Sequence, residues 1–346
     1  MKTSHAVLFG DARHTLAEMS PSSVDLVVTS PPYPMIGMWD EAFSQQSEPI
    51  RERLREGDGD AAFELMHREL DPVWSEVHRL LRPGGIACIN IGDATRTIGG
   101  SFRVFPNHAR VLMACLGLGF EVLPEILWRK ESNKPTKFMG SGMLPGAAYV
   151  TQEHEYILIL RKGGKRPSVS PAQRLVRQRS AFFWEERNLW FSDIWEGLQG
   201  DRQPLRVKGA RDRSASYPFE LAYRLISMFS VQTDLVVDPF LGTGTTTVAA
   251  MAAGRDSVGI ELDPRFKRHV EERVMGAVTA SNSFNQRRIS DHLEFVKKMR
   301  RDRRDLKHTN RHYNFPVMTG QEERARIPVL KSVEMKADGL FEAHYR

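Results

Sequence analysis

Leu235-Val236-Val237-Asp238-Pro239-Phe240-Leu241-Gly242-Thr243-Gly244-Thr245 passes from an apolar strand through a glycine turn into a helix start. Its reading decides the fold. The apolar run ends on Asp238, Pro239 cannot continue a central ladder, and the two glycines allow a tight bend. Small residues then predict a helix over Thr245–Ala253. A helix is predicted before it, Pro218–Met228, and a strand after it, Ser257–Ile260, which delivers Glu261. Alternating helices and strands point to an α/β fold, a mostly parallel, doubly wound sheet covered on both faces.

Toward the amino end, a strand is predicted over Ala6–Phe9, ending at Gly10-Asp11, with a short helix around Arg13–Met19. A second strand, Val24–Val28, runs into Thr29-Ser30-Pro31-Pro32-Tyr33. Two adjacent prolines force the chain out of the sheet in a stiff, extended loop. Residues 34–60 are polar and glycine-containing and read as a mobile excursion. Helical spacing of Phe63, Met66, Leu70, Trp74 and Leu81 predicts a helix over Ala61–Leu81, closed by Arg82-Pro83-Gly84-Gly85. Strands over Ile86–Ile91, Phe120–Trp128 and Tyr156–Leu160 and a helix over Asn107–Leu116 continue the alternation. Residues 162–212, rich in Arg, Trp and Phe, break it and read as a separate small region. Beyond residue 276 the expectation is a charged helix, Asp291–Asp305, and an irregular tail. No internal repeat is evident.

The chain has 346 residues, is 41% hydrophobic and carries a net charge of +6. The charge is uneven. Residues 161–213 hold 13 Lys and Arg against 6 Asp and Glu, and residues 285–311 hold 10 against 4. Two basic segments on a mildly acidic body fit either a polyanion-binding face or a solvated surface. No run of 18 apolar residues exists that would span a membrane, and the start lacks the pattern of a signal peptide. Cys88 and Cys115, both in apolar surroundings, read as reduced core residues of a cytoplasmic protein. The histidines show no ligand spacing, so no metal is expected.

Ligands of open α/β sheets bind beyond the carboxyl ends of the strands, where the Asp238–Thr245 loop lies. A nucleoside triphosphate calls for GxxxxGK[ST], and no such lysine is present. A dinucleotide calls for a third glycine where Thr247 stands. S-adenosylmethionine carries an ammonium, a sulfonium and a ribose but no phosphate. Asp238 suits the ammonium, and Glu261, 23 residues on, suits the ribose diol. A simple tight turn is the competing reading of the glycines.

Ser30-Pro31-Pro32-Tyr33 is more specific. An exocyclic base amine is a poor nucleophile, because its lone pair is delocalised into the ring. The Ser30 hydroxyl and the Pro31 carbonyl can each accept one N–H bond and aim the lone pair at a methyl donor. Pro32 stiffens the loop, which preorganises both acceptors. Tyr33 can stack on a base flipped out of a duplex. Flipping costs a few kcal/mol and one aromatic stack returns about 1–3 kcal/mol.

At these residues the sequence resembles the amino-methyltransferases of restriction–modification systems, in the β class where the catalytic motif precedes the cofactor motif. Thr29–Tyr33 matches the catalytic motif, Asp238–Thr245 the cofactor motif and Val258–Asp263 the ribose-binding strand end. Gly10-Asp11 matches the acidic position near the cofactor adenine, and Leu80–Gly85 the helix end after the catalytic loop. Ser216–Leu221, with Tyr217 where the family often has histidine, resembles the segment packed over the methionine part. The resemblance implies a seven-stranded, circularly permuted sheet. It implies a site-specific transferase of a methyl group from S-adenosylmethionine to N4 of a flipped cytosine in double-stranded DNA, with adenine N6 as the alternative. Serine at the first catalytic position is commoner in cytosine-N4 enzymes, with exceptions both ways. A non-enzymatic DNA-binding protein and an RNA methyltransferase are the other readings.

The implied catalytic residues are Ser30, Pro31, Pro32 and Tyr33. The implied cofactor residues are Asp11, Tyr217, Phe219, Asp238, Phe240, Gly242, Gly244, Thr245 and Glu261. The implied division is a catalytic half (1–161), a target-recognition region (162–212), a cofactor half (213–275) and a basic helical extension (276–346). In the recognition region Arg174, Arg177, Arg179, Arg206, Lys208, Arg211 and Arg213 are candidates for phosphates or guanine edges. Phe182, Phe183, Trp184 and Trp190 are expected to form a small core. Lys297–Arg301 contacts DNA, a partner subunit or solvent. A cognate restriction endonuclease is expected as a functional rather than physical partner.

Overall fold

The computed structural model describes residues 1–130, 139–166, 170–198, 217–302 and 306–346. Among these residues ten strands form the main sheet: β1 (Lys2–Phe9), β2 (Val24–Thr29), β3 (Leu81–Ile91), β4 (Phe120–Arg129), β5 (His154–Lys162), β6 (Ile194–Trp195), β7 (Leu235–Asp238), β8 (Asp256–Glu261), β9 (Leu330–Ala337) and β10 (Leu340–Tyr345). Their spatial order is β6-β4-β5-β3-β2-β7-β8-β1-β10-β9. Strands β3, β2, β7, β8 and β1 run parallel, whereas β5 is antiparallel to both neighbours. Three strands exceed the seven expected: the short β6 at one edge and the β9–β10 hairpin at the other.

Strand alternation divides the core. Val27, Ala87, Ile89, Leu158, Leu160 and Val237 face one layer, with α1 (Ala12–Thr15), α4 (Gly59–Leu80) and α5 (Asn107–Gly117). Leu26, Val28, Cys88, Ile157, Ile159 and Val236 face the other, with α7 (Trp184–Trp190), α8 (Phe219–Phe229) and α9 (Thr245–Ala253). Both cysteines are buried and free. Among the described residues, no helix is long and apolar enough to cross a membrane.

Four expectations change. Residues 34–60 are not a mobile excursion. They form α2 (Asp40–Gln46) and α3 (Glu48–Glu56), anchored by the buried Phe43 and Ile50. The two apolar anchors sit on separate helices, with the chain extended at Ser47 between them, so one buried residue per helix in a polar stretch left no helical period to read.

Strand β3 starts at Leu81, directly after α4. The Pro83-Gly84-Gly85 kink is absorbed where the pairing with β2 jumps from Val24↔Leu81 to Leu26↔Ile86. Residues 162–212 contain α6 (Pro171–Arg179) and α7. Of the expected small core, Trp190 joins the main core with Phe182 packed against it, whereas Phe183 lies in a separate small cluster with Phe315, Val317 and Ile327.

The carboxyl tail is ordered. Helix α10 (Lys267–Met275) and α11 (Ala277–Arg301) lead to the β9–β10 hairpin, whose strand β10 pairs antiparallel with β1. Alternation in Leu340–Tyr345 buries Phe341, Ala343 and Tyr345 against Val7 and Leu330.

The hairpin therefore closes a core cluster that would otherwise face water. Phe341→Ala is expected to lower unfolding stability by about 3–5 kcal/mol. An unchanged urea midpoint would show that the hairpin is dispensable.

Candidate active site

Strands β2 and β7 lie side by side and parallel, with Val27 opposite Val237. Their carboxyl ends therefore deliver Thr29-Ser30-Pro31-Pro32-Tyr33 and the Asp238–Thr245 loop to the same sheet edge. Thr29 Oγ1 donates to Asp238 Oδ1 at 2.6 Å across the junction. The Asp238 carboxylate also accepts from the Phe240 amide at 3.1 Å, the Tyr217 hydroxyl at 3.0 Å and the Thr246 hydroxyl. Asp238 is only 1% exposed, and burial pushes its carboxyl above the usual range despite these donors.

The two loops wall a cavity of about 530 Å³, within the usual size of small-molecule sites. Ser30, Pro31, Pro32 and Tyr33 line one side, and Phe240, Gly242, Thr245 and Glu261 the other. Gly242 (φ 57°) and Gly244 (φ 85°) take the left-handed bend that the turn requires. Glu261 Oε2 accepts from the Gly242 amide at 2.8 Å, and Oε1 from the Asp263 amide at 2.9 Å. The carboxylate thus locks the glycine turn onto the end of β8 and borders the cavity. Trp39 and Phe43, from the segment read as mobile, complete the apolar wall.

Behind Ser30 is a polar chain that the sequence did not disclose. Ser30 Oγ lies 2.9 Å from Tyr33 Oη, which donates to Glu155 Oε2 at 2.9 Å. Asn90 Nδ2 donates to Tyr33 Oη at 2.8 Å and to Glu155 Oε2 at 2.7 Å. Lys130 pairs with Glu155 Oε1 at 2.6 Å. Burial, reinforced by Glu155, holds the Tyr33 phenol well above its usual pKa, so it keeps its proton. Glu155 reaches the site because β5 runs antiparallel. Its first residues sit at the edge where the parallel strands end. The available signal was a carboxylate entering the apolar run Tyr156–Leu160, but only the strand direction gives it meaning.

Not every expected residue meets the cavity. Asp11 lines it, while capping α1 and bonding Arg13, whose contact holds its carboxyl below the ordinary range. Tyr217 lines it as well. Asp238 and Gly244 are not among the lining residues. The former is enclosed by its four donors, and the latter caps α9 against Val270. Phe219 packs edge-on to Phe284 at 5.1 Å, in the core.

Arg174, Arg177 and Arg179 on α6 lie at the other end of the sheet. The end of α6 is pinned there by Gln232 and Arg326, and Arg174 and Arg177 share a groove with Ser230 and Val231, which lead into β7. Arg206, Lys208, Arg211 and Arg213 lie outside the described residues. Phe183 and Trp190 are buried, while Trp184 is exposed. Among the described residues, no group of three His, Cys, Asp or Glu side chains could hold a metal.

Comparison with known proteins converges on one family. A family model described as DNA methylase, of the N6/N4 type, matches residues 24–272. The type II methyltransferase M.MthZI of Methanothermobacter thermautotrophicus is 50% identical over 347 residues, covering 100% of this chain and 96% of its own. M.MjaI of Methanocaldococcus jannaschii is also 50% identical, over 79% of this chain and 91% of its own. A putative DNA modification methylase of Thermus thermophilus, solved in complex with S-adenosyl-L-methionine, superposes with a TM-score of 0.61 at 35% identity, over 79% of this chain and 96% of that one. The cytosine-N4-specific PvuII DNA methyltransferase shares the fold, with a TM-score of 0.51 at 19% identity over 76% of this chain and 83% of its own.

The tie between the two loops has a measurable cost. Thr29→Val keeps the side-chain shape but removes one donor from a buried carboxylate. Stability is expected to fall by about 1–3 kcal/mol. A denaturation midpoint equal to that of the parent chain would show that the tie carries no weight.

Proposed function

The chain belongs to the N6/N4 DNA methylase family, and from that premise we propose that it methylates the N4 amine of a cytosine flipped out of double-stranded DNA. One observation carries the reading: the Thr29–Asp238 contact and the parallel pairing behind it put the Ser30 loop and the glycine loop on one cavity. S-adenosylmethionine is the cofactor, and when bound it supplies an electrophilic methyl group on its sulfonium. The residues present fit it: an apolar cavity with a carboxylate, Glu261, beside a glycine turn that admits close backbone approach.

Glu261 would accept from the ribose hydroxyls, and Asp11 would stand near the adenine. Phe240, Gly242, Thr245 and Tyr217 would shape the remaining wall. Asp238 would contribute by holding its loop and the Ser30 loop in register. Ser30 Oγ and the Pro31 carbonyl would accept the two N–H bonds of the amine, leaving its lone pair directed at the methyl group. The nitrogen–carbon bond forms as the sulfur–carbon bond breaks, and the methylated nitrogen then sheds a proton to water. The ring of Tyr33 would offer a face to the extruded base.

Serine at the first catalytic position favours cytosine N4 over adenine N6. The catalytic loop precedes the cofactor loop in the chain, which we read as a circular permutation of the sheet. Its similarity to type II methyltransferases supports a role in protecting cytoplasmic DNA from a cognate endonuclease. Residues 162–212 are proposed for target recognition by position, but Arg174 and Arg177 border a groove at the opposite end of the sheet and would meet DNA only away from the flipped base.

Methylating duplex DNA with labelled cofactor and digesting it to nucleosides is expected to yield N4-methylcytosine. N6-methyladenine instead would overturn the choice of base, and no labelled nucleoside would overturn the reading itself. Ser30→Ala is expected to cut kcat by about 10²–10³-fold while the Kd for S-adenosylmethionine stays within about twofold of the parent. Undiminished turnover in that variant would remove Ser30 from the chemistry.

A further inference from the structure

A serine hydroxyl both donates and accepts, and only accepting serves an amine nucleophile. A hydroxyl that donated to the amine nitrogen would occupy the lone pair that must attack. The chain behind Ser30 decides between the two. We propose that Glu155 is a positioning residue that, acting through Tyr33, turns the Ser30 hydroxyl proton away from the cavity and presents its lone pairs to the substrate amine. This rests on the methyl-transfer reading above.

Hydrogen-bond counting carries the argument. Glu155, paired with Lys130 through Oε1, offers acceptors only. Asn90 Nδ2 has two hydrogens, which serve Tyr33 Oη at 2.8 Å and Glu155 Oε2 at 2.7 Å, and its longer approach to Ser30 Oγ at 3.5 Å also meets that oxygen as an acceptor. The reverse amide orientation would set the Asn90 carbonyl against the carboxylate, acceptor against acceptor. Tyr33 owns one proton, which goes to Glu155 Oε2 at 2.9 Å. The remaining contact, Ser30 Oγ to Tyr33 Oη at 2.9 Å, can then be made only with Ser30 donating. The serine proton is thereby spent inside the wall, and what faces the cavity is acceptor.

The surroundings hold this arrangement firmly. Glu155 is 7% exposed and Asn90 2%. The Tyr33 ring lies so close to Gly92 that a Cβ there would stand 3.1 Å from it. Lys130 sits over the Trp128 ring at 5.0 Å, which fixes the cation beside the carboxylate. Three strand ends thus converge on one hydroxyl: Asn90 from β3, Lys130 just after β4 and Glu155 from β5.

The test uses the full chain with duplex DNA and the parent protein in parallel. Glu155→Gln replaces an acceptor by an amide that can donate to Tyr33 Oη, so the chain can reverse and Ser30 can point its proton at the amine. Expected is a fall in kcat of about 10–100-fold, with the Kd for S-adenosylmethionine unchanged. Tyr33→Phe keeps the ring but cuts the chain, and is expected to lower kcat by a similar factor. The decisive readout is the double variant. If Glu155 acts through Tyr33, adding Glu155→Gln to Tyr33→Phe costs less than about twofold more.

Multiplicative losses, or turnover equal to the parent in Glu155→Gln, overturn the proposal. Should Glu155→Gln fail to fold, Tyr33→Phe decides: kcat within about threefold of the parent shows that Ser30 needs no orientation through Tyr33. A parent chain that transfers no methyl group to DNA would instead reject the underlying reading.

Discussion

A buried carboxylate shared between two loops organises this molecule. Asp238 ends β7 almost without exposure and can remain there only because four donors surround it. Its donors come from widely separated parts of the chain: Thr29 from β2, Tyr217 from the lead into α8, Thr246 from α9 and the Phe240 amide from its own loop. Leaving any of them unmade costs desolvation of a charged group. The same requirement that stabilises Asp238 therefore sets the Ser30 loop, the glycine loop and the Tyr217 wall at fixed mutual distances. The geometry of the cavity follows from satisfying one carboxylate.

A second buried carboxylate, Glu155, does comparable work on the other side of the cavity. Asp238 fixes where the loops are, while the Glu155 chain bears on how one hydroxyl is turned. Both depend on groups at the carboxyl edge of the sheet being dry enough for each donor to matter. Helix α2 and the turn before it contribute to that dryness, since Phe43 and Trp39 close the wall that a loose excursion would leave open.

Charge is distributed less simply than its run along the chain suggests. Arg174 and Arg177 of α6 border a groove with Arg187, Arg311 and Arg324 at the end of the sheet opposite the cavity. Arg187 is also set over the Phe191 ring at 5.4 Å, and Arg311 pairs with Glu323. A basic stretch of sequence is thus divided by the fold into charges of different surroundings, and proximity to the chemistry is a matter of which strand end a segment adjoins.

The amino-acid sequence determined by itself the elements whose patterns are local. Apolar strand runs, the glycine bend, the double proline and the small-residue helix each arise from backbone sterics or burial acting over a few residues, and apart from the earlier start of β3 they appear close to the expected positions. The pairing of the Thr29–Tyr33 and Asp238–Thr245 motifs could also be inferred, because both end strands of one parallel sheet. Only the tertiary structure decided the rest. The reversed direction of β5 brings Glu155 to Ser30, the β10 hairpin extends the sheet past β1, and Asp238 turns inward while Phe219 joins the aromatic core. Each of these depends on contacts between residues tens to hundreds of positions apart, and side-chain burial or strand direction at such range leaves no periodic trace in the chain.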